Sequence, residues 1–246
     1  MAIRIGIAGI AGRMGQLLVE EIAAAGAVLA GGLRRGEDPT ALFAGCDVVI
    51  DFTHANTAEA HCAAALVHGT ALVLGSSGLS AAQEAVVAKA ARQVGIVYAA
   101  NFAPGVNLFL AMAERMAAAL PAEQYDAEIV EMHHRQKVDA PSGTAVALGR
   151  AVAHGRGTTL EAAGVESGRD GHAGARRTGA IGFAALRGGQ VVGEHMLIFA
   201  AGSEQLSLTH RSFDRRVYAT GAVRAALWLH GRPAGLYGMR AVLGMA

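Results

Sequence analysis

Two stretches of this 246-residue chain hold residue types that do chemistry at spacings that matter. The first is Glu131-Met132-His133-His134-Arg135-Gln136-Lys137-Val138-Asp139-Ala140-Pro141-Ser142-Gly143-Thr144-Ala145. A strand-like run delivers two histidines and a lysine into a loop that ends on a helix start at Ser142. His133, His134, Arg135 and Lys137 are cationic or proton-donating. The helix start at Ser142-Gly143-Thr144 holds a carboxylate through backbone N–H groups and a hydroxyl. Together they suit proton transfer to a small anionic substrate, a dicarboxylate in particular. Three plainer readings stand beside this one. Paired histidines ligate zinc elsewhere, but these lack the i, i+4 spacing of a helical metal site and have no cysteine nearby, so no metal is expected. One histidine is a packed strand residue if neighbours face opposite sides. The whole segment is otherwise a solvated polar loop.

The second stretch is Gly9-Ile10-Ala11-Gly12-Arg13-Met14-Gly15, a G-x-x-G-x-x-G run between a strand and a helix. Glycines there permit a tight turn and close approach of backbone to a pyrophosphate, and the helix N-terminus supplies N–H groups and a positive dipole end. The alternative is a glycine-rich turn with no ligand. About twenty residues past the glycines, a dinucleotide-binding domain selective for NAD places an acidic residue on the ribose hydroxyls. Here that place is taken by Arg34-Arg35, a pair suited to the 2′-phosphate of NADPH, with Glu37 close by. NADPH is therefore expected over NADH, unless both arginines are merely solvated.

The elements that must position these residues follow from the hydrophobic pattern. Strand-like runs at 3–8, 27–33, 47–51, 71–74 and 96–99 alternate with helical patterns at 16–25, 55–68 and 80–94. That order predicts a doubly wound parallel sheet, with strands buried on both faces. Beyond Asn101 the pattern predicts a helix over 106–119, a strand over 127–132 and a helix over 143–154. A structureless, mobile loop is expected over 155–178. Strands at 181–186, 191–199 and 205–210 without intervening helices predict an antiparallel or mixed sheet, and a last helix is expected over 218–230. The expected division is a dinucleotide-binding domain from 1–103 and 217–246, and an α+β substrate-binding and oligomerisation domain from 104–216.

Composition excludes several classes. Lys+Arg is 21 and Asp+Glu is 20, so no basic field exists for nucleic acid. The hydrophobic share of 52% against 17% charged excludes a disordered chain. Only Cys46 and Cys62 are present, which excludes a disulfide framework and suits a reducing compartment. No run reaches the roughly 18 uncharged apolar residues of a membrane span. A cytoplasmic protein with no membrane partner is expected.

The two stretches together resemble the 4-hydroxy-tetrahydrodipicolinate reductase (dihydrodipicolinate reductase) family of the lysine and diaminopimelate pathway. The signature E-x-H-H-x-x-K-x-D-A-P-S-G-T-A stands intact at 131–145. The likeness continues through Asp51-Phe52-Thr53, Gly75-Ser76-Ser77-Gly78, Ala99-Ala100-Asn101-Phe102, 179–183, 187–195 and 221–229. The resemblance implies NAD(P)H-dependent reduction of a cyclic imine dicarboxylate and a homotetramer formed through the second sheet. It implies His133 and Lys137 as catalytic proton carriers, and His134, Ser142, Gly143, Thr144 and Arg215 as binders of the substrate carboxylates. It also implies a cofactor lining of Gly9, Ile10, Ala11, Gly12, Arg13, Met14, Arg34, Arg35, Gly75, Ser76, Ser77, Ala99, Ala100, Asn101 and Phe102. Three departures stand out. Arg34 replaces a glutamate common in the family, serines replace threonines at 76 and 77, and Ala103-Pro104 replaces a common Ser-Val. Two other classes remain open: another NADPH oxidoreductase acting on a related imino acid, and a non-catalytic NADPH-binding regulator.

Overall fold

The computed structural model describes residues 2–245. The chain forms two compact units, one built from the residues up to Pro104 and from Arg216 onward, the other from Gly105–Arg215. The first begins with β1 (Arg4–Ala8), α1 (Arg13–Ala24), β2 (Val28–Leu33), α2 (Thr40–Ala44), β3 (Val48–Asp51), α3 (Ala58–His68), β4 (Ala71–Leu74), α4 (Ala81–Ala90) and β5 (Gly95–Tyr98). Next come α5 (Pro104–Ala119), β6 (Asp126–His133), α6 (Gly143–Gly155), α7 (Leu160–Ala163), β7 (Val165–Ser167), β8 (Ile181–Arg187), β9 (Gly193–Ala200) and β10 (Gln205–Ser212). The chain then returns to the first unit with α8 (Arg216–Leu229), β11 (Gly235–Tyr237) and α9 (Met239–Val242).

The first unit is a six-stranded parallel sheet in the order β11-β5-β4-β3-β1-β2. Its central strands are short apolar runs because both faces are covered. Ile5, Ile7, Ile50 and Val73 pack with Leu18 and Ile22 of α1 and with Ala222, Val223 and Leu229 of α8. Val49, Leu72, Leu74 and Ile96 pack on the other face with Phe43 of α2, Cys62 of α3 and Val87 of α4. Each buried Val, Leu, Ile or Phe side chain among these contributes about 1.5–3 kcal/mol through burial. β2 departs from the expectation of burial on both faces. It is an edge strand, and Val28 and Leu29 stand exposed. The strand order reverses between β1 and β3, which opens a crevice beyond the carboxyl ends of the strands.

The second unit is a mixed sheet, β10-β9-β6-β8-β7. β6 runs parallel to β8 and antiparallel to β9. β6 and β9 alternate strictly in burial, so one face is covered. Ile129, Leu197 and Phe199 on that face pack against Phe109 and Ala113 of α5 and Leu148 and Val152 of α6. The other face carries Val130, Met132, Met196 and Ile198 half-exposed, and Leu186 exposed.

The stretch 155–178 is not the structureless loop that its composition predicts. Thr159 caps α7 by accepting from the Ala162 N–H, Leu160 is buried in the core, and β7 pairs with β8. Arg176 then pins the following segment through Asp126, Glu128 and the carbonyls of Ala127 and Ala180. Apart from the Thr159 cap and the Ala180 carbonyl, these contacts are long-range, and three- or four-residue elements show no period. α2, β11 and α9 escape the pattern for the same reason; β11 is defined by pairing with β5 across the chain. No helix among the described residues is long and apolar enough to cross a membrane.

Candidate active site

The alternation of β6 places Glu131 and His133 together on the covered face of the second sheet. Glu131 is 1% exposed, and its carboxylate accepts four hydrogen bonds. Arg187 donates to both oxygens at 2.8 Å, His133 Nδ1 lies 2.6 Å from Oε2, and the Ser142 N–H reaches Oε1 at 3.1 Å. Burial pushes this carboxyl up, but the donors from Arg187, His133 and Ser142 outweigh it and hold Glu131 below the usual carboxylate range. Arg187 sits beside His133 in the β6–β8 register, and it also donates to the Asp139 carbonyl, which ties down the following loop.

Ser142 is buried, and its polar groups are committed inward. Its Oγ accepts from the Ala145 N–H, capping α6, and lies 2.9 Å from His195 Nε2. Burial, with a smaller contribution from His133, pushes the His195 pKa down to about 4. His195 is therefore neutral near pH 7, and its Nε2 stays hydrogen-bonded to the Ser142 hydroxyl. Because Ser142 faces inward, the donors left at the start of α6 are the N–H groups of Gly143 and Thr144, the first two helical positions. Gly143 is exposed, and a Cβ built there would meet nothing within 4 Å. That is open space beside a helix end whose first N–H groups are free to bond a ligand carboxylate.

His134 is half-buried, and its carbonyl accepts from the Lys137 N–H at 3.1 Å, closing a turn. The Lys137 ammonium donates to Asp139 at 2.8 Å. That cation beside Asp139, through a hydrogen bond above all, holds the Asp139 carboxyl below its ordinary value. Thus β6, its loop and α6 bring His133, Ser142, Gly143 and Thr144 together, with His134 and Lys137 on the same loop. Arg215 is exposed at the last position of this unit, with no hydrogen bond to that group. Glu131, Arg187 and His195 escaped the sequence reading as site members. The available signal was the two-residue step from Glu131 to His133 on one strand face; Arg187 and His195 are recruited across strands.

In the first unit, Gly9 has φ +81°, and a Cβ there would lie 2.8 Å from Thr53. The N–H groups of Gly9 and Ile10 bond to the Leu33 carbonyl, joining the turn to the end of β2. A Cβ at Gly15 would lie 2.4 Å from the carbonyl oxygens of both Gly9 and Ile10, so only glycine lets α1 start this close to the turn. The N-cap of α1 is Gly12, which has no side chain to satisfy the first helical N–H groups. The first N–H groups of this helix are therefore left without a side-chain cap, the arrangement that suits an anion.

A cavity of about 490 Å³ opens beside it, lined by Gly9, Ala11, Gly12, Arg34, Arg35, Glu37, Thr53, His54, Thr57 and His61, among others. Glu37 is committed in part to the turn, accepting from the Arg34 N–H at 2.7 Å. Not every expected cofactor residue lines this cavity. Ile10 and Met14 pack against the core, and Ser76 is buried with its hydroxyl 3.4 Å from Asp51. Gly75–Ser77 follow β4 and Ala99–Phe102 follow β5, on the carboxyl edge of the same sheet. Phe102 is buried with its ring edge-on to Phe52, and Asn101 accepts from the Ala103 N–H. Asp51, fully buried, joins this edge to α3 by accepting from Thr53 and pairing with His61 at 2.7 Å. Thr53, His54, Thr57 and His61 are lining residues that spacing alone did not single out.

Comparison with known proteins places both stretches in one context. The family model described as dihydrodipicolinate reductase, N-terminus, matches residues 3–102, and that described as dihydrodipicolinate reductase, C-terminus, matches 105–243. The chain is 62% identical over 256 residues to 4-hydroxy-tetrahydrodipicolinate reductase of Granulibacter bethesdensis, covering 99% of this chain and 98% of that protein. It is 60% identical over 243 residues to the protein of that name in Acidiphilium cryptum, with 99% and 98% covered. A solved structure titled dipicolinate-bound dihydrodipicolinate reductase from Paenisporosarcina sp. TG-14 is similar in fold. Its TM-score is 0.77 at 24% identity, over 99% of this chain and 100% of that one.

Proposed function

The chain belongs to the dihydrodipicolinate reductase family, and on that premise we propose that it reduces 4-hydroxy-2,3,4,5-tetrahydrodipicolinate to 2,3,4,5-tetrahydrodipicolinate, with loss of water, using NADPH in preference to NADH. The observation that carries the reading is the cluster on β6 and α6: one buried carboxylate bonds both His133 and the backbone that opens the anion-accepting helix.

The cofactor's phosphates fit the first unit, whose α1 begins on an uncapped glycine beside a cavity that Arg34 and Arg35 line. Bound there, NADPH supplies the hydride. Arg34 and Arg35 would hold the 2′-phosphate as charge-assisted donors. The reduction also needs a proton, and Lys137 and His133 are the donors the loop offers. General acid help of this kind is worth about 10²–10⁴-fold in rate. Gly143 and Thr144 would orient one carboxylate through backbone N–H groups, with His134 and Arg215 as the side-chain partners of the dicarboxylate. Ser142 holds that helix end in place.

We also propose a homotetramer assembled through the open face of the second sheet, where Val130, Met132, Met196, Ile198 and Leu186 form an apolar strip that no element of this chain covers among the described residues. A cytoplasmic location is part of the same reading, and the two cysteines, both free thiols, support it.

The test is initial rates of NADPH and NADH oxidation with substrate made in place by its synthase from pyruvate and aspartate semialdehyde. Rapid turnover favouring NADPH supports the reading. Equal rates with NADH would reject the preference for NADPH. No turnover by folded protein that still binds NADPH would reject the activity.

A further inference from the structure

His133 ends β6 with one ring nitrogen engaged and one open. Its Nδ1 lies 2.6 Å from Glu131 Oε2, and its Nε2 has no protein partner among the described residues. The Glu131 carboxylate is an acceptor on every side, because Arg187 and the Ser142 N–H supply its other donors. An acceptor that faces Nδ1 requires a proton there. Across the strand pair, a Cβ at residue 193 would sit 3.1 Å from His133 Nε2, and the residue is Gly193. The open nitrogen therefore faces a position that holds no side chain.

We propose that Glu131, clamped by Arg187, is a positioning residue that locks the neutral His133 ring as its Nδ1–H tautomer, leaving Nε2 as the one ring nitrogen that exchanges a proton with substrate, and that Gly193 keeps the approach to that nitrogen clear. The inference rests on the reading of His133 as a proton carrier and adds which atom works and what selects it. The charged or titratable groups about the ring are Glu131 on β6, Arg187 at the end of β8, and His195 on β9, whose ring stands edge-on at 5.1 Å. Lys137 stands on the loop that follows. Of these, only Glu131 bonds the ring, so it alone dictates the tautomer. A carboxylate oriented on the far nitrogen of a catalytic imidazole acts this way in hydrolase triads, where loss of the charge leaves the wrong tautomer.

The test begins with the unaltered protein. Long-range ¹⁵N–¹H correlation spectra, with the His133 signals identified by their loss in His133→Asn, are recorded at a pH where the ring is neutral. Protonated Nδ1 with bare Nε2 is expected, and the opposite tautomer overturns the proposal. In Glu131→Gln the tautomer should become mixed or inverted. In that variant kcat should fall about 10²-fold, while KM and NADPH affinity stay within about twofold. A folded Glu131→Gln with unchanged kcat and tautomer also overturns it. Should that variant not fold, Gly193→Ala decides: the Nδ1–H tautomer kept with kcat down about tenfold supports the proposal, and unchanged kcat overturns the role given to Gly193. Full turnover in His133→Asn would overturn the catalytic reading underneath, whereas a wrong tautomer overturns this proposal alone.

Discussion

At the scale of single residues, the two proton carriers proposed for the second unit differ in burial. Lys137 sits at a loop surface with its ammonium on Asp139, while His133 is anchored inside by Glu131. Lys137→Ala and His133→Ala should each lower kcat by about 10²-fold or more, with NADPH affinity held within about twofold. Steady-state rates and fluorescence titration of NADPH check both, and two variants with full turnover would exclude the assignment. His195 makes a separate prediction about pH. Its folded pKa is depressed to about 4 from an ordinary 6.5, so the unfolded chain takes up a proton first on acidification. The stability it contributes is present above about pH 6.5 and is lost as pH falls toward 4. Between pH 7 and 5 the loss should be about 2 kcal/mol. Urea denaturation at both pH values should show it, and His195→Gln, which keeps an acceptor near Ser142, should flatten the difference. An unchanged difference in that variant would place the acid sensitivity elsewhere.

At the scale of elements, the turn between β1 and α1 and the turn after β2 work as one cradle, because Gly9 and Ile10 bond to the end of β2. Gly15→Ala forces a methyl against two backbone carbonyls that have no flexible end to move. Overpacking of this kind costs about 1–3 kcal/mol. Reduced thermal stability together with lost cofactor binding is the expected outcome; stability lost with NADPH affinity intact would mean the turn does not hold the phosphates. Arg34→Ala with Arg35→Ala should weaken NADPH about 10–100-fold, the worth of a hydrogen bond to a charged group, and leave NADH almost unchanged. Equal loss for both cofactors by calorimetry would mean that the pair does not read the 2′-phosphate. Much of this cradle is legible from sequence, since glycine spacing and the arginine pair are local. The commitment of Glu37 to the Arg34 backbone is local too, three residues apart, whereas the placement of Thr53, Thr57 and His61 on the same cavity depends on the chain folding back after β3, where Asp51 bonds both Thr53 and His61.

At the scale of the whole molecule, one face of the second sheet is closed by α5 and α6, and the other presents an apolar strip bordered by Glu128, Glu194 and Arg211. A charge in the middle of that strip should block assembly. Met196→Glu is expected to shift the native mass from four copies of the chain to one or two, measured by light scattering after gel filtration. A wild-type chain that runs as a monomer at micromolar concentration would end the tetramer proposal.

The sequence alone determined whatever rests on local order: the β-α alternation of the first unit, the glycine turn, the capped start of α6, and the segment from 131 to 145 that groups two histidines and a lysine ahead of it. Each is a pattern among neighbours, and periodicity and turn chemistry report neighbours well. Only the tertiary structure decided that Ser142 faces inward to His195, that Glu131, clamped by Arg187, holds His133 by one nitrogen, and that residues 155–178 contain a helix and an edge strand pinned by Arg176. Apart from the two-residue step from Glu131 to His133, those outcomes join residues about sixteen to nearly sixty positions apart, through the pairing of β6 with β8 and β9 and of β7 with β8. A buried carboxylate or serine takes whichever donors the packed strands bring to it, because leaving a buried polar group unpaired costs more than any local preference.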